Sequence, residues 1–297
     1  MSLTPSAPSS RTDAANAPRG TMKKLIVIAG AGEYPRLLVE GAKRAGVETV
    51  DVMAVKGSCE RATARAADHV FPFAVGESEV AIRWTAEQGY DGAVLAGQVS
   101  PLSLFRGKFG PVVRQWLAEM PVKNAHTIFG KLVSEFEKAG VRMIPASSFM
   151  DDSMPDEGVL TTRVFTETEK TDAARGFQVA ADVGRHDVGQ TVLVKAGMVL
   201  AVEAFEGTNA AILRAGKLGK GSVLCKAARE GHDWRFDIPV VGLKTLKTMK
   251  RAGVTALAFQ ARRLLLLDRD KVVDFANRNG IAIAGFESGL PPAPTRP

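Results

Sequence analysis

Cysteine is almost missing from this chain: Cys59 and Cys225 are the two present. Both end apolar runs, VDVMAVKGSC and GSVLC, so they read as small buried side chains in a reduced, cytosolic compartment rather than as a disulfide framework. The four histidines, His69, His126, His186 and His232, lie far apart without ligand spacing, which excludes a His/Cys metal cluster. No run approaches the roughly 18 consecutive apolar residues of a membrane span. The opening MSLTPSAPSSRTDAANAPRGT has no apolar core and is not a secretory signal. Residues 1–21 are expected to be a disordered extension, with the folded chain starting near Met22, and residues 288–297 a loose tail. No nucleic-acid module signature occurs, so no nucleic-acid partner is expected.

What the chain does have is ordinary globular content, with 45% hydrophobic residues over 297 positions. That length suggests roughly two domains. The net charge is +7. A basic balance favours anionic partners such as lipid headgroups or phosphorylated substrates. The densest basic strings, KTLKTMKR and ARR, also suit a plain solvated helix face.

The first half alternates strand and helix signals. KKLIVIAG reads as a strand, GEYPRLLVEGAKRAG as a helix, VETVDVMAVKG as a strand, GESEVAIRWTAEQG as a helix and DGAVLAGQV as a third strand. IFGKLVSEFEKAG is expected to be helical and VRMIP a strand. Such alternation predicts a parallel sheet covered by helices, a Rossmann-like domain over 22–148. SSFMDDSMPDEG is polar and turn-rich, which places a linker at 149–158. The remainder, 159–287, is expected to be a second α/β domain with a mixed sheet. QTVLVKAGMVLAVEA predicts a hairpin, EGTNAAILRAG a short helix, and GSVLCKA and FDIPVVG strands or strand ends. TLKTMKRAG reads as a helix, TALAF as a strand, LLLLDRDKVVDFANRNG as strand then helix with Asp268 as N-cap, and IAIAGF as the last strand.

Several residues at strand ends have the chemistry of a phosphate site. Gly30, Ala31 and Gly32 stand at a strand-to-helix turn, where backbone N–H groups can meet a phosphate; a tight turn alone also explains them. Gly97, Gln98 and Val99 end the third expected strand, where open parallel sheets bind ligands. In the second half Asp187, Gly189 and Gln190 precede a strand. Glu203, Glu206, Gly207 and Thr208 follow another, and Asp233, Arg235 and Asp237 precede a third. Magnesium uses one or two carboxylates with substrate phosphates and water. Pyrophosphate cleavage needs positive charge and an oriented water, which Lys226, Arg235 and these acids can supply. The histidines read as structural; His126, in NAHTIF at a helix start, is the one of the four to watch. GKFG and GKLGKGS lack Walker spacing.

IAGAGEYP, LAGQVSP, DVGQTVLVKAGMVLAVEAFEGTNAAILRAG, VLCKAAREGHDWRFDIPVVGLKT and LLLLDRDKVVDFANRNGIAIAGF together resemble the UDP-2,3-diacylglucosamine pyrophosphatase family of lipid A biosynthesis, the LpxI type. The resemblance implies two α/β domains with the lipid nucleotide in a cleft between them. It implies a Mg²⁺-dependent hydrolase giving UMP and 2,3-diacylglucosamine 1-phosphate, with water attacking the phosphorus nearer the sugar. Asp237 matches the family aspartate needed for activity. Asp237 and Glu203 are the expected metal ligands, Glu206 an assisting acid, and Gly30, Ala31, Gly32, Gly97, Gln98, Val99, Asp187, Gly189, Gln190, Gly207, Thr208, Lys226 and Arg235 the substrate contacts. A cytoplasmic protein touching the inner-membrane surface is implied, and a homodimer stays open. Departures stand at Asn209, at Gln260, in KNAHTIFGK and in AAREGHDWRFDIP. They motivate a rival, a non-catalytic nucleotide-sugar or lipid-binding paralogue. A nicotinamide oxidoreductase rests on Gly30-Ala31-Gly32 alone.

Overall fold

The computed structural model describes residues 22–99, 109–229 and 231–287. The expected extension and tail lie outside them. β1 (Lys24–Ala29), β2 (Thr49–Val55), β3 (Val70–Phe73) and β4 (Gly92–Ala96) form an all-parallel sheet in the order β3-β2-β1-β4. Along β1 the side chains alternate faces: Leu25 and Val27 enter one core, Ile26 and Ile28 the other. Helix Tyr34–Arg44 covers the first face through Leu38, Val39 and Ala42. Helices Ser78–Glu87 and Ala125–Lys138 cover the second through Ala81, Ile82, Val133 and Phe136. The strand order reverses beside β1, which creates a crevice at the C-terminal ends of β1 and β4.

Two elements of this half differ from the sequence reading. HVFPF, not read as a strand, forms β3 at the sheet edge. VRMIP is not a strand: Met143 makes one parallel bridge to Ala93, held by Ala93 N–H to the Arg142 carbonyl (2.9 Å) and Ile144 N–H to the Ala93 carbonyl (2.9 Å). Pro145 follows at once, and it has no N–H to extend a ladder.

The second half has a six-stranded mixed sheet, β5-β12-β10-β8-β6-β7. β8 (Val223–Lys226), β10 (Ala256–Gln260) and β12 (Ala282–Phe286) run parallel; β5 (Gly158–Val159) and the hairpin of β6 (Thr191–Lys195) and β7 (Met198–Val202) are antiparallel. Helices Thr208–Leu218, Leu243–Ala252 and Arg269–Arg278 pack one face. The other face is covered by helix Glu167–Gly184, which the sequence reading leaves out. Asp268 precedes the last helix but caps nothing with its side chain. It sits in the left-handed region (φ 49°) and pairs instead with Lys271 (3.0 Å) and Arg36 (3.7 Å).

FDIPVVG does not join the sheet. Its β9 (Val240–Val241) pairs in parallel with β11 (Leu265–Leu266) as a separate ribbon. The ribbon's side chains alternate between two cores. Val240, Leu265 and Leu267 pack with the core under helix Tyr34–Arg44, while Val241 and Leu266 pack with the second-half core. The two halves are therefore joined by an apolar seam. Arg235 adds an ion pair to Glu137 (2.5 Å) across it. Among the described residues no helix is long and apolar enough to cross a membrane.

Candidate functional site

The glycine turns at the first-half crevice are locked to each other. Gly30 N–H donates to the Ala96 carbonyl (2.8 Å), and Ala31 and Gln98 exchange backbone hydrogen bonds (2.7 and 2.9 Å). A Cβ on Gly30 would stand 2.5 Å from the Gln98 oxygen, and Gly97 has φ +86° with its Cβ position 2.7 Å from the Ala31 oxygen. Only glycine lets these turns touch. Gly32 N–H is taken by Glu60 Oε1 (3.1 Å).

Behind these turns lies an apolar cavity with about 810 Å³ of empty space, its open mouth included. Gly30, Gly97 and Val99 border it, and Phe73, Trp116 and Phe129 are among its walls. Among the described residues all of its lining comes from the first half, and its only charged lining residue is Lys131.

The second-half residues converge at strand ends. Lys226 ends β8, is 5% exposed, and donates to Thr191 Oγ1 (2.9 Å) and Thr208 Oγ1 (3.0 Å). Glu203 follows β7; Thr208 donates to its Oε1 (2.7 Å), and its Oε2 lies 3.6 Å from the Lys226 ammonium. Burial pushes the Glu203 carboxyl up, but Lys226 and the two threonine hydroxyls outweigh it and hold the pKa below the ordinary value. Gly189 passes so near that a Cβ would meet the Glu203 carbonyl oxygen at 2.1 Å. Its neighbour Gln190 donates through Nε2 to Asp237 Oδ1 (2.5 Å). Thus consecutive residues, Gln190 and Thr191, tie Asp237 and Lys226 to one place.

Asp237 lies in a turn, its N–H on the Asp233 carbonyl (2.8 Å), rather than at a strand edge. Its Oδ2 is 3.7 Å from Arg229. Arg229 also donates to Asp187 Oδ1 (3.0 Å) and to His126 Nδ1 (2.5 Å). Burial raises the Asp187 pKa, with Arg229 opposing. Phe236 stacks on Phe129 at 6.1 Å, so the residue beside Asp237 touches a wall of the apolar cavity.

Two expectations fail. Arg235 does not face Asp237: Asp233 holds it through Nε (2.9 Å) and Nη2 (2.6 Å), and Glu137 takes the remaining end. With both ends neutralised it fastens the halves instead of meeting phosphate. Glu206 is drawn to Arg214 (2.5 Å) and makes no contact with the Glu203–Lys226 cluster. The residue that sequence reasoning missed is Arg229, which lies in the AAREGHDWRFDIP string that departs from the family pattern; its place three residues after Lys226 is the other hint.

The Mg²⁺ expectation can be weighed on the donor set. Among the described residues no three Asp, Glu, His or Cys side chains converge to cage a metal. Mg²⁺ needs only one or two carboxylates when phosphates complete its shell. Asp237 fits that place, since its Oδ2 makes no hydrogen bond to any described residue. Glu203 fits less well, because Lys226 already neutralises it and would repel a second cation.

The chain matches the LpxI N-terminal domain over residues 24–153 and the LpxI C-terminal domain over 156–284. It belongs to the LpxI family. It is 29% identical over 281 residues to the UDP-2,3-diacylglucosamine pyrophosphatase LpxI of Caulobacter vibrioides, covering 90% of this chain and 98% of that protein. Among solved structures, the biotin carboxylase subunit of pyruvate carboxylase aligns with 62% of this chain and 39% of its own length, at 12% identity and a TM-score of 0.26. The biotin carboxylase domain of a thermophilic 2-oxoglutarate carboxylase aligns with 58% of this chain and 35% of its own, at 12% identity and a TM-score of 0.27.

Proposed function

We propose that this LpxI-family chain hydrolyses the pyrophosphate bond of UDP-2,3-diacylglucosamine to UMP and 2,3-diacylglucosamine 1-phosphate. The observation that carries the reading is adjacency: an apolar cavity meets, through Phe129 and Phe236, a cluster of Asp237, Gln190, Arg229, Lys226 and Thr208. A lipid tail and a pyrophosphate head require that pairing. On this reading the acyl chains lie in the first half's cavity, beside the seam, rather than in a cleft between the halves.

Asp237 holds and orients the attacking water, and Gln190 fixes the carboxylate's rotation. Water oxygen bonds to the phosphorus nearer the sugar, the bond from that phosphorus to the bridging oxygen breaks, and UMP leaves with that oxygen. Lys226 offsets the charge that develops, in a site where burial strengthens its effect. Glu203 keeps Lys226 pointed, while Gly207 and Thr208 set the N-terminal end of helix Thr208–Leu218 toward the phosphates. Gly30, Ala31, Gly32, Gly97, Gln98 and Val99 border the nucleotide. A bound Mg²⁺, held by Asp237 and the phosphates, would add charge neutralisation. The +7 charge favours loose contact with an anionic membrane surface.

The test is turnover of UDP-2,3-diacylglucosamine in ¹⁸O-water by the purified protein, with and without Mg²⁺. Label is expected in the sugar phosphate and not in UMP. Tight binding without turnover would favour the non-catalytic paralogue, which the partnerless, buried Asn209 Oδ1 keeps in view.

A further inference from the structure

Arg229 is held from more sides than any simple surface cation needs. Its backbone is pinned twice: Gln260 Oε1 accepts from the preceding Ala228 N–H (2.8 Å), and the Arg229 carbonyl accepts from His232 Nδ1 (2.7 Å). Burial pushes the His232 imidazole pKa down, and a neutral ring still makes that bond. The Arg229 side chain is 14% exposed. Its guanidinium reaches Asp187 and Asp237 in the second half and His126 in the first. His126 begins helix Ala125–Lys138, whose Ile128, Phe129 and Leu132 line the apolar cavity. One planar head therefore touches the presumed water-orienting carboxylate and the helix that walls the lipid cavity. A lysine, with a point charge, cannot serve three partners in one plane. Among the described residues the buried Arg229 Nε has no acceptor of its own. The cost of that unmade bond is tolerated only where the other contacts fix the group.

We propose that Arg229 is a positioning residue: it sets Asp237 for the reaction and does so by clasping His126 across the seam between the halves. The inference rests on the hydrolase reading given above. It goes beyond that reading in assigning the first half, through His126, a part in aligning the second half's carboxylate.

The test is a double-mutant cycle on the full chain, with turnover of UDP-2,3-diacylglucosamine as the readout. Arg229→Gln is expected to lower kcat about 100-fold with KM within threefold. Arg229→Lys, which keeps the charge near Asp187, should fold like wild type and lose about tenfold. His126→Leu is expected to lose about tenfold, and His126→Gln, which restores an acceptor, to regain most of it. The double variant Arg229→Gln/His126→Leu should be no slower than Arg229→Gln alone, because the second change removes a contact already gone. The ¹⁵N resonance of His126 Nδ1 should move in Arg229→Gln, a signature that loss of packing elsewhere would not give. An inactive wild-type protein sinks the hydrolase reading itself. An active wild type with Arg229→Gln within threefold of it, or losses that multiply to about 1000-fold in the double variant, sinks the role of Arg229.

Discussion

At the scale of single residues the Lys226–Glu203 pair shows how burial sets a charge's value. Both are almost out of water, so each depends on the other. Glu203→Gln should cost about 3–5 kcal/mol, measured by urea denaturation, because it strands a buried ammonium. Adding Lys226→Met should recover most of that loss; no recovery would mean the pair is not what holds the region. The sign with pH follows from the lowered Glu203 pKa: the contribution is present above the unfolded carboxyl's range and fades as pH falls through the folded one. Asp237→Asn removes the charge and keeps the shape. It is expected to leave the fold and substrate binding intact and cut turnover by about 10²–10⁴. Near-normal turnover would remove Asp237 from the chemistry. Of this cluster, Asp237, Glu203, Gln190, Thr208 and Lys226 were picked out because each stands in a short motif near the end of a strand or helix. Arg229 was not, since its meaning lies in partners about 40 and 100 positions away. His126, Gln260 and the AAREGHDW string read as separate departures from the family pattern; folded, all three meet at Arg229.

Among the elements, helix Glu167–Gly184 shows why a readable signal can be passed over. Its start is a capping box: Thr166 Oγ1 accepts from Glu169 N–H (3.2 Å) and Glu169 Oε2 accepts from Thr166 N–H (3.0 Å). Its buried face is mostly Ala and Gly, with Gly176 against Cys225, so its apolar stripe is faint. VRMIP failed for the opposite reason, strong apolar content with no room for a ladder beyond one bridge. Burial opposes the ionised Glu169, yet Arg163, Thr166 and Thr255 pull its pKa down to about 2. Glu169→Gln should therefore lower Tm at neutral pH. The gap to wild type should shrink as pH falls from the ordinary carboxyl range toward about 2. A gap that stays constant would show that the charge is not what matters. Helix Pro111–Glu119 offers another test, because Leu117 lines the apolar cavity. Leu117→Trp should raise KM about tenfold for long-chain diacyl substrate and within twofold for a short-chain one. Equal effects on both would put the acyl chains elsewhere.

For the whole molecule the ribbon of β9 and β11 decides how the halves behave. Leu265 and Leu266 are neighbours in sequence yet belong to different cores. Leu265→Ala and Leu266→Ala should each cost about 2–5 kcal/mol and shift the same calorimetric transition. Two transitions, each moved by one variant alone, would show that the halves unfold independently. The α/β class and the parallel and mixed sheets could be read from strand and helix order, because those patterns are local. The ribbon could not, because two-residue strands carry no periodicity, and what Val240 and Leu265 cover depends on residues more than 180 positions earlier in the chain. During synthesis this arrangement imposes a delay. The first half leaves the ribosome with an apolar face that Leu265 and Leu267 will later cover. At about 5–20 residues per second, the stretch from Ser153 to Leu267 takes about 6–23 s to make. For that interval the nascent chain exposes a sticky surface, so its yield in the cell should depend on translation speed and chaperone supply more than that of a protein whose first domain closes on itself.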